Sequence, residues 1–262
     1  MRPAFIKEPI LEEFDFTQCP NAEQLTASEK LSIAKLYQEV ICELHTIDAY
    51  PGAKVSEEKR QAVTDRITPI INSNPNLKYI FHIEKKRNYS TSIARECLRA
   101  KCDSVVESFF EDKLASSVTD HLGRNLGMLC AYEGHENLVL LALDNEDARR
   151  QQSKNGLNIG MICAKNKLVD ATLKALDDEV ASSQKSVDGE TIGMVCARVI
   201  AGDRTMLPAF EKAASNPRTI LLKDNQDRTI LDIAKSSCYA GASIADKFGK
   251  VLLQAQLMQD GM

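Results

Sequence analysis

Apolar residues recur at intervals of three and four over most of the chain, which is the spacing of one face of an α-helix. Near the N-terminus, Thr26 and Glu29 form the signature of a capping box, which predicts that a helix begins there. Pro51 and Gly52 are expected to end this helix. Its apolar side is predicted to consist of Leu31, Ala34, Tyr37, Ile41 and Leu44.

Two further segments complete the N-terminal region. One starts near Ser56 and carries apolar residues at helical spacing, although Pro69 is expected to kink or end it. The other, residues 76–85, is compatible with a third helix. We therefore expect residues 1–86 to form a small helical region, either a cap for the C-terminal part of the chain or a separate small domain.

The rest of the chain is repetitive. Gly123, Gly156 and Gly189 each open a segment in which Gly-Met and Cys-Ala recur at the same positions, so that successive copies begin 33 residues apart. A degenerate copy precedes them at about Ser90, and a further copy, residues 227–234, follows after 38 residues. A period of this length is typical of stacked structural repeats.

Each copy continues into a second apolar segment, which predicts a helical hairpin as the repeating unit. In the third copy the second segment aligns only after an insertion near Ala201 and Gly202, which predicts a longer hairpin there. Residues 243–256 carry apolar side chains on one face and are expected to form a capping helix, as the end of a repeat array requires. The second segments are Leu138, Val139, Leu141 and Ala142, then Ala171, Thr172, Leu173, Ala175 and Leu176, then Met206, Leu207 and Phe210.

This period and its turn chemistry resemble the ankyrin repeat, which is built from a β-turn and two antiparallel helices. The resemblance covers about residues 87–262. Gly156 and Gly189 close the family's turn dipeptide, and Thr191 and Thr229 stand where the family opens its first helix. The implied fold is all-α, an ankyrin-like solenoid of helical hairpins preceded by the small helical N-terminal region.

The copies also depart from the family. None carries the family's Pro or His at the opening of the first helix, so the hydrogen bonds that usually brace the turn are not expected in their usual form. Gly127, Gly160 and Gly193 stand inside the predicted first helices, where each costs roughly 1 kcal/mol relative to Ala. Closer contact between helices is a reason for such glycines to be there.

Ankyrin arrays commonly bind other proteins, so the resemblance implies an interaction scaffold that uses its concave face. Partner contacts in the family fall on the turn tips and on the exposed side of each first helix. Tyr132 is the expected anchor, in one aromatic and basic patch with His121, Arg124 and Lys165. The matching positions in this chain are His121, Arg124, Tyr132, Glu133, Lys154, Leu157, Lys165, Asn166, Val187, Glu190, Arg198, Asn225 and Arg228.

The repeat also places one cysteine and one methionine at the same position in successive copies. Equivalent positions in stacked helices lie about 8–10 Å apart, beyond the roughly 7 Å limit between the Cα atoms of a disulfide, and zinc needs four ligands that converge. We therefore predict buried packing and no metal site. For the methionines, core packing is favoured over an adaptable binding groove. The residues are Cys97, Cys130, Cys163 and Cys196, with Met128, Met161 and Met194.

An alternative function is an enzymatic or targeting module in residues 1–86, delivered by the array. Its candidate residues are Cys42, His45 and Asp48, which step by three along the first helix like a nucleophile, a base and an orienting acid. Residues on one helix rarely aim their reactive atoms at one another, and these three are expected on the apolar face. No phosphate-binding, metalloprotease or hydrolase motif is present in the sequence, so no catalytic residue and no cofactor is predicted.

Composition narrows the class of protein further. Hydrophobic residues make up 44% of the chain and charged residues 27%, which excludes the signature of a disordered polymer. The net charge of −4 and the lack of a long basic block argue against nucleic acid as a partner. No apolar stretch reaches the roughly 20 residues of a membrane span, so a soluble protein is expected. The eight cysteines form no Cys-x-x-Cys pair, which favours a reducing compartment, and the cytoplasm is the expected location. Divergent ankyrin arrays also resemble host-directed effectors of intracellular bacteria, which would place the chain in the host cytosol.

Overall fold

The computed structural model describes residues 8–47, 55–84, 89–237 and Phe248, and its chain divides into two compact units, residues 1–121 and 122–262. Helices dominate both units, as the helical spacing predicted. The division falls between His121 and Leu122, whereas the repeat begins at about residue 87. The degenerate first copy therefore belongs to the same unit as the N-terminal helices.

The first unit begins with two long helices, α1 (Ala27–His45) and α2 (Glu57–Ser73). The predicted capping box is present at the start of α1. The backbone N–H of Glu29 donates to the Thr26 hydroxyl at 3.2 Å, and the Thr26 N–H donates to the Glu29 carboxylate at 2.8 Å. The buried residues of α1 are Ile33, Ala34, Tyr37, Val40 and Leu44. Leu31 and Ile41, which were expected among them, are half-buried.

Pro69 was expected to kink or end the second helix, and it does not end it, because α2 continues to Ser73. Proline removes one helical N–H and crowds the preceding turn. On either side of it, however, Ile67 and Ile71 are buried, and α2 packs against α1. Burial of these side chains offsets the lost hydrogen bond, so packing overrides the local preference.

The prediction of a third helix over residues 76–85 is also wrong. The chain forms a 3₁₀ turn over Pro75–Lys78 and then strand β2 (Phe81–Glu84), which lies between β1 (Phe14–Asp15) and β3 (Tyr89–Thr91) in an antiparallel sheet. Consecutive Tyr, Ile and Phe residues favour extended backbone, and all three side chains at positions 79–81 are buried.

Three helices of the degenerate copy complete the first unit: α3 (Ile93–Ala100), α4 (Asp103–Phe110) and α5 (Lys113–Ser117). The Ser92 hydroxyl accepts a hydrogen bond from the Arg95 N–H at the start of α3. Helix α3 packs against both α1 and α4, so the N-terminal helices and the first copy share a core.

The second unit contains the regular copies. The first two copies contain α6 (Leu126–Glu133), α7 (Glu136–Ala142), α8 (Glu146–Arg150), α9 (Ile159–Lys165), α10 (Val169–Ala175) and α11 (Glu179–Ser183). The later copies contain α12 (Ile192–Val199), α13 (Leu207–Ala214) and α14 (Ile230–Ser237). First helices pack side by side along the unit, and so do second helices. The predicted helical hairpins are confirmed.

The short third helices α5, α8 and α11 were not predicted. Each begins after a side chain that caps it: Asp112, Asn145 and Asp178 accept hydrogen bonds from backbone N–H groups two or three residues later. These residues also recur at the period of 33, and Asp or Asn at such a position favours a helix start. Recurring Asp or Asn residues were therefore a usable signal in the sequence.

The turns between copies are held together by a backbone ladder. The N–H of Lys154 donates to the Leu122 carbonyl at 2.8 Å, and the next two steps, from Val187 to Asn155 and from Asn225 to Asp188, measure 3.0 and 3.1 Å. Gly123, Gly156 and Gly189 have φ values of 73°, 72° and 80°, which glycine adopts without strain. In the last copy Asp227, with φ of 63°, takes the position of the glycine.

The glycines inside the first helices permit close contact between helices, as expected. A Cβ on Gly160 would lie 2.7 Å from the Ala175 Cβ on α10, and a Cβ on Gly193 would lie 2.8 Å from the Ala213 Cβ on α13. Gly127 has the same relation to Ala142, at 2.6 Å. No larger residue fits there without displacing a neighbouring helix.

Buried asparagines brace the first two regular copies. The Asn158 side chain accepts from the Met161 N–H at 2.9 Å and donates to the Ala181 carbonyl and the Gln184 side chain, both at 2.8 Å. Asn125 makes the equivalent three bonds one copy earlier. In the third copy, Thr191 stands at the equivalent position, and its hydroxyl accepts one hydrogen bond, from the Met194 N–H at 3.4 Å.

Helix α1 ends at His45, before Pro51 and Gly52, which were expected to end it. The capping helix predicted over residues 243–256 lies outside the described residues apart from Phe248. Phe248 is buried, and its ring meets the Phe210 ring edge-on at 5.9 Å between centroids.

Candidate functional site

The predicted contact positions divide by exposure. Tyr132, Lys154, Lys165, Asn166, Val187, Arg198 and Asn225 are exposed, and His121, Glu133 and Arg228 are half-buried. The remaining three are largely covered, with exposures of 9% at Arg124, 7% at Leu157 and 3% at Glu190. His121 belongs to the first unit and the other twelve to the second. Within the second unit the exposed positions lie on the turns and at the C-terminal ends of first helices.

In the first and third regular copies, a covered residue after the turn glycine pairs with an exposed residue at the end of the first helix. In the first regular copy, the Arg124 guanidinium carbon lies 5.1 Å from the centre of the Tyr132 ring. In the third copy the same positions hold an ion pair between Glu190 and Arg198. The pairing holds the exposed partner in place in both copies.

The second copy differs from its neighbours at this pair of positions. Leu157, which is apolar and buried, stands where the third copy has Glu190. Lys165 is exposed at the position of Arg198, and it forms no ion pair with any described residue. Its charge is therefore not neutralised as that of Arg198 is.

Hydrogen bonds bring the ends of α6 and α9 together. The Asn166 side chain donates to the Ala131 carbonyl at 2.9 Å, which places Lys165 beside the end of α6, where Tyr132 is exposed. Asn225 has a similar role on the turns, since its side chain donates to the Val187 carbonyl at 2.8 Å. Both asparagines join neighbouring copies, and Val187 is left 61% exposed at a turn tip.

Tyr132, Lys154 and Lys165, with Arg124 beneath the Tyr132 ring, form what we call the basic–aromatic patch. Tyr132 is 41% exposed and Lys154 and Lys165 are exposed as well. The backbone N–H of Lys154 bonds to the carbonyl of Leu122 on the preceding turn, and Leu122 is two residues before Arg124. Three residues of the patch expected from the sequence, Arg124, Tyr132 and Lys165, belong to the second unit. Lys154 was predicted as a contact position but not as part of that patch, and we include it here.

Ion pairs in the later copies neutralise other charges near the turns. The Nε and Nη2 atoms of Arg228 donate to the Asp224 carboxylate at 2.9 and 2.7 Å. Burial raises the pKa of Asp224, but hydrogen bonds from the Arg228 side chain and backbone outweigh that effect and lower it overall. Lys167 pairs with Asp203 at 3.0 Å.

The cysteine and methionine ladders are part of the core, as predicted. Burial raises the pKa of the Cys196 thiol to about 12, and it raises those of Cys97 and Cys163 as well. A thiol that stays protonated is a poor nucleophile and a poor metal ligand. The ladder residues Cys97, Cys130, Cys163, Cys196, Met128, Met161 and Met194 are all fully buried.

The structure corrects the expectation that Cys42 and His45 lie on the apolar face of α1, because both are exposed. Helical spacing puts them on the side opposite Val40 and Leu44. The His45 Nε2 atom lies 4.0 Å from a Glu96 carboxylate oxygen. Asp48 lies outside the described residues.

A cleft in the first unit was not anticipated from the sequence. It has a volume of about 550 Å³ and is lined by the apolar residues Leu11, Phe14, Phe16 and Ala22, with Glu12, Asp15, Thr17, Glu23 and Lys30. The Lys30 ammonium lies 6.0 Å from the centre of the Phe16 ring. Short irregular segments form most of this cleft, and such segments have no periodic signal in the sequence.

No protein-family model matches the chain, and no curated protein shows significant similarity to it. Within the described part of the chain, no helix is both long and apolar enough to cross a membrane.

Proposed function

We propose that this chain is an ankyrin-like interaction scaffold that binds a partner protein through the turns and first-helix ends of its second unit. The observation that carries the proposal is a core that repeats from copy to copy and supports surface positions that differ between copies. Buried Asn, Gly, Met and Cys residues recur from copy to copy, whereas the paired positions above the core change from Arg and Tyr to Leu and Lys and then to Glu and Arg. One member of each pair is buried and the other is exposed, so the exposed surface changes from copy to copy. Stacked repeats form extended surfaces that such proteins use for binding.

The basic–aromatic patch is the proposed centre of this surface. Tyrosine is enriched among the residues that dominate binding energy at interfaces. The Arg124 guanidinium supports one side of the ring, so Tyr132 is held in place before a partner arrives, and less side-chain entropy is lost on binding. Because the divergent copies resemble those of bacterial host-directed effectors, a host protein is the proposed kind of partner.

The proposal is tested by affinity capture with the full chain and two variants. Tyr132→Ala with Lys165→Ala removes the exposed patch, and Val180→Ala is a matched control, because Val180 is an exposed apolar residue on α11. A partner should be captured by the wild type and the control and lost with the patch variant. With the purified partner, Tyr132→Ala should weaken binding about tenfold or more with an unchanged Tm. Equal binding by all three chains would exclude this surface.

A second candidate function is supported by the cleft at residues 11–30, whose volume lies within the range of small-molecule sites. In this alternative, the N-terminal region is an enzymatic or targeting module and the array delivers it. Lys30→Ala and Phe16→Ala change the cleft without touching the second unit. If a function of the full chain is lost with these variants and kept with the patch variant, the alternative is favoured.

A further inference from the structure

We infer that the basic–aromatic patch binds an acidic peptide segment of the partner. The inference rests on the proposed function and adds the chemistry of the ligand. The predicted contact positions include acids as well as bases, among them Glu190. Within the described residues, however, Glu190 is buried against Arg198 and Asp203 is paired with Lys167, so these acids offer little charge to a partner.

The absence of an acid at residue 157 leaves the charge of Lys165 available. In the third copy, Glu190 neutralises Arg198. The equivalent residue of the second copy, Leu157, is buried and has an aliphatic side chain without charge. An exposed ammonium group without an intramolecular partner keeps its full attraction for a carboxylate from another molecule. Lys165 is thus the first cation of the proposed site.

Lys154 supplies the second cation from the turn. Its backbone N–H donates to the Leu122 carbonyl at 2.8 Å, and the Lys154 side chain forms no ion pair with the described residues. That bond fixes the base of Lys154 next to Gly123, and Arg124 follows at once. Lys154 and Lys165 therefore flank the pair of Arg124 and Tyr132, one from the turn and one from the end of α9.

Tyr132 gives the site an aromatic surface. Its ring is held by Arg124, and its hydroxyl has no hydrogen-bond partner among the described residues. A phenol hydroxyl donates to a carboxylate, while the ring covers aliphatic side-chain stems. The acid nearest in sequence is Glu133, which is half-buried.

Two lysines and one tyrosine fit a short acidic peptide better than nucleic acid. Binding to a phosphate backbone depends on many cations along an extended track, and this chain has a net charge of −4. A few carboxylates spaced along an extended peptide need only a few cations. Attraction of this kind weakens with salt, because exposed charges are screened.

The experiment titrates the full chain into a short fluorescent peptide rich in glutamate, and into the same peptide with glutamine at those positions. The glutamate peptide should bind and the glutamine peptide should not. Lys165→Glu and Lys154→Glu should each weaken binding about tenfold, and added salt should weaken it further. Lys113→Glu is the matched control, since it makes the same change of charge at an exposed lysine of the first unit and should leave binding unchanged.

Equal binding of the two peptides, or equal loss with Lys113→Glu, would overturn the inference. So would tighter binding of a single-stranded oligonucleotide, if the same two lysine variants abolished it. Different results would reject the inference and the proposed function. A partner that is lost with Tyr132→Ala while the glutamate peptide never binds would keep the scaffold and reject the acidic segment.

Discussion

The two units of this chain are stabilised in different ways. In the second unit, the same contacts recur: a buried Asn at the start of the first helix, a Gly against the second helix, and a backbone bond between turns. In the first unit, most contacts occur once, among them the three-stranded sheet and the aromatic cluster of Phe14, Tyr37 and His82. Repetition allows equivalent positions to serve as controls for one another.

Repetition also makes it possible to distinguish residues that form the core from residues that vary on the surface. Buried positions of the second unit hold nearly the same residues in each copy, so a difference at an exposed position stands out. The charge of Lys165 stands out in this way, because Arg198, at the same position one copy later, forms an ion pair with Glu190. The first unit offers no such comparison, and its cleft was found only in the structure.

The largest expected effect is a difference in the rate of thiol alkylation between an exposed cysteine of the first unit and the buried, repeated cysteines of the second. Cys42 is exposed and should react with a thiol reagent at once in the native protein. Cys163 is buried and should react at least about a thousandfold more slowly, because the fold must open before the reagent can reach it. Mass spectrometry of timed alkylation measures both rates. Rapid native labelling of Cys130, Cys163 and Cys196 would contradict the packing described for them.

Next in size is the effect of filling the space at a helix glycine. Gly160→Val should destabilise the second unit by about 3 kcal/mol, because the new side chain meets Ala175 and Ile192. Gly202 is the control, since a Cβ there meets nothing within 4 Å, and Gly202→Ala should be nearly neutral. Denaturant unfolding measures both. Equal stability of the two variants would show that the helices can separate without cost.

A smaller effect is expected at the braces between copies. Asn158→Ala removes three hydrogen bonds from a buried site and should cost about 2–3 kcal/mol. Thr191→Ala removes a single long bond at the equivalent position and should cost about 1 kcal/mol. If the two variants lose the same stability, the side-chain bonds from Asn158 to Ala181 and Gln184 contribute nothing.

The smallest expected effect depends on pH. Burial raises the pKa of Asp178, but hydrogen bonds from the Ala181 N–H and from Arg150 and Arg149 outweigh it and lower the pKa below its usual value. A lowered pKa in the folded state stabilises the protein above the unfolded value, near pH 4, and this contribution is lost as the pH falls through the folded value.

Asp178→Asn should therefore be less stable than the wild type at neutral pH, and the difference should shrink below about pH 4. Thermal unfolding at several pH values measures it. A difference that stays constant with pH would mean that the charge of Asp178 is not what stabilises the fold.

The sequence by itself determined the repeat, its period and the helical hairpins, because buried positions in stacked copies meet the same neighbours and so retain the same residues. It also identified the capping box at Thr26 and the turns at Gly123, Gly156 and Gly189, since these depend on local backbone chemistry. Candidate contact positions came from the resemblance of the copies to the ankyrin repeat.

Tertiary structure decided what local chemistry leaves open. Pro69 remains within a helix because Ile67 and Ile71 are buried, and residues 81–84 join a sheet because partner strands from distant parts of the chain lie beside them. Whether Lys165 and Arg198 are neutralised depends on the residue eight positions earlier, and only folding places those two positions side by side. Contacts that occur only once, between residues far apart in the chain, have no periodic signal, so they become visible only when the chain is folded.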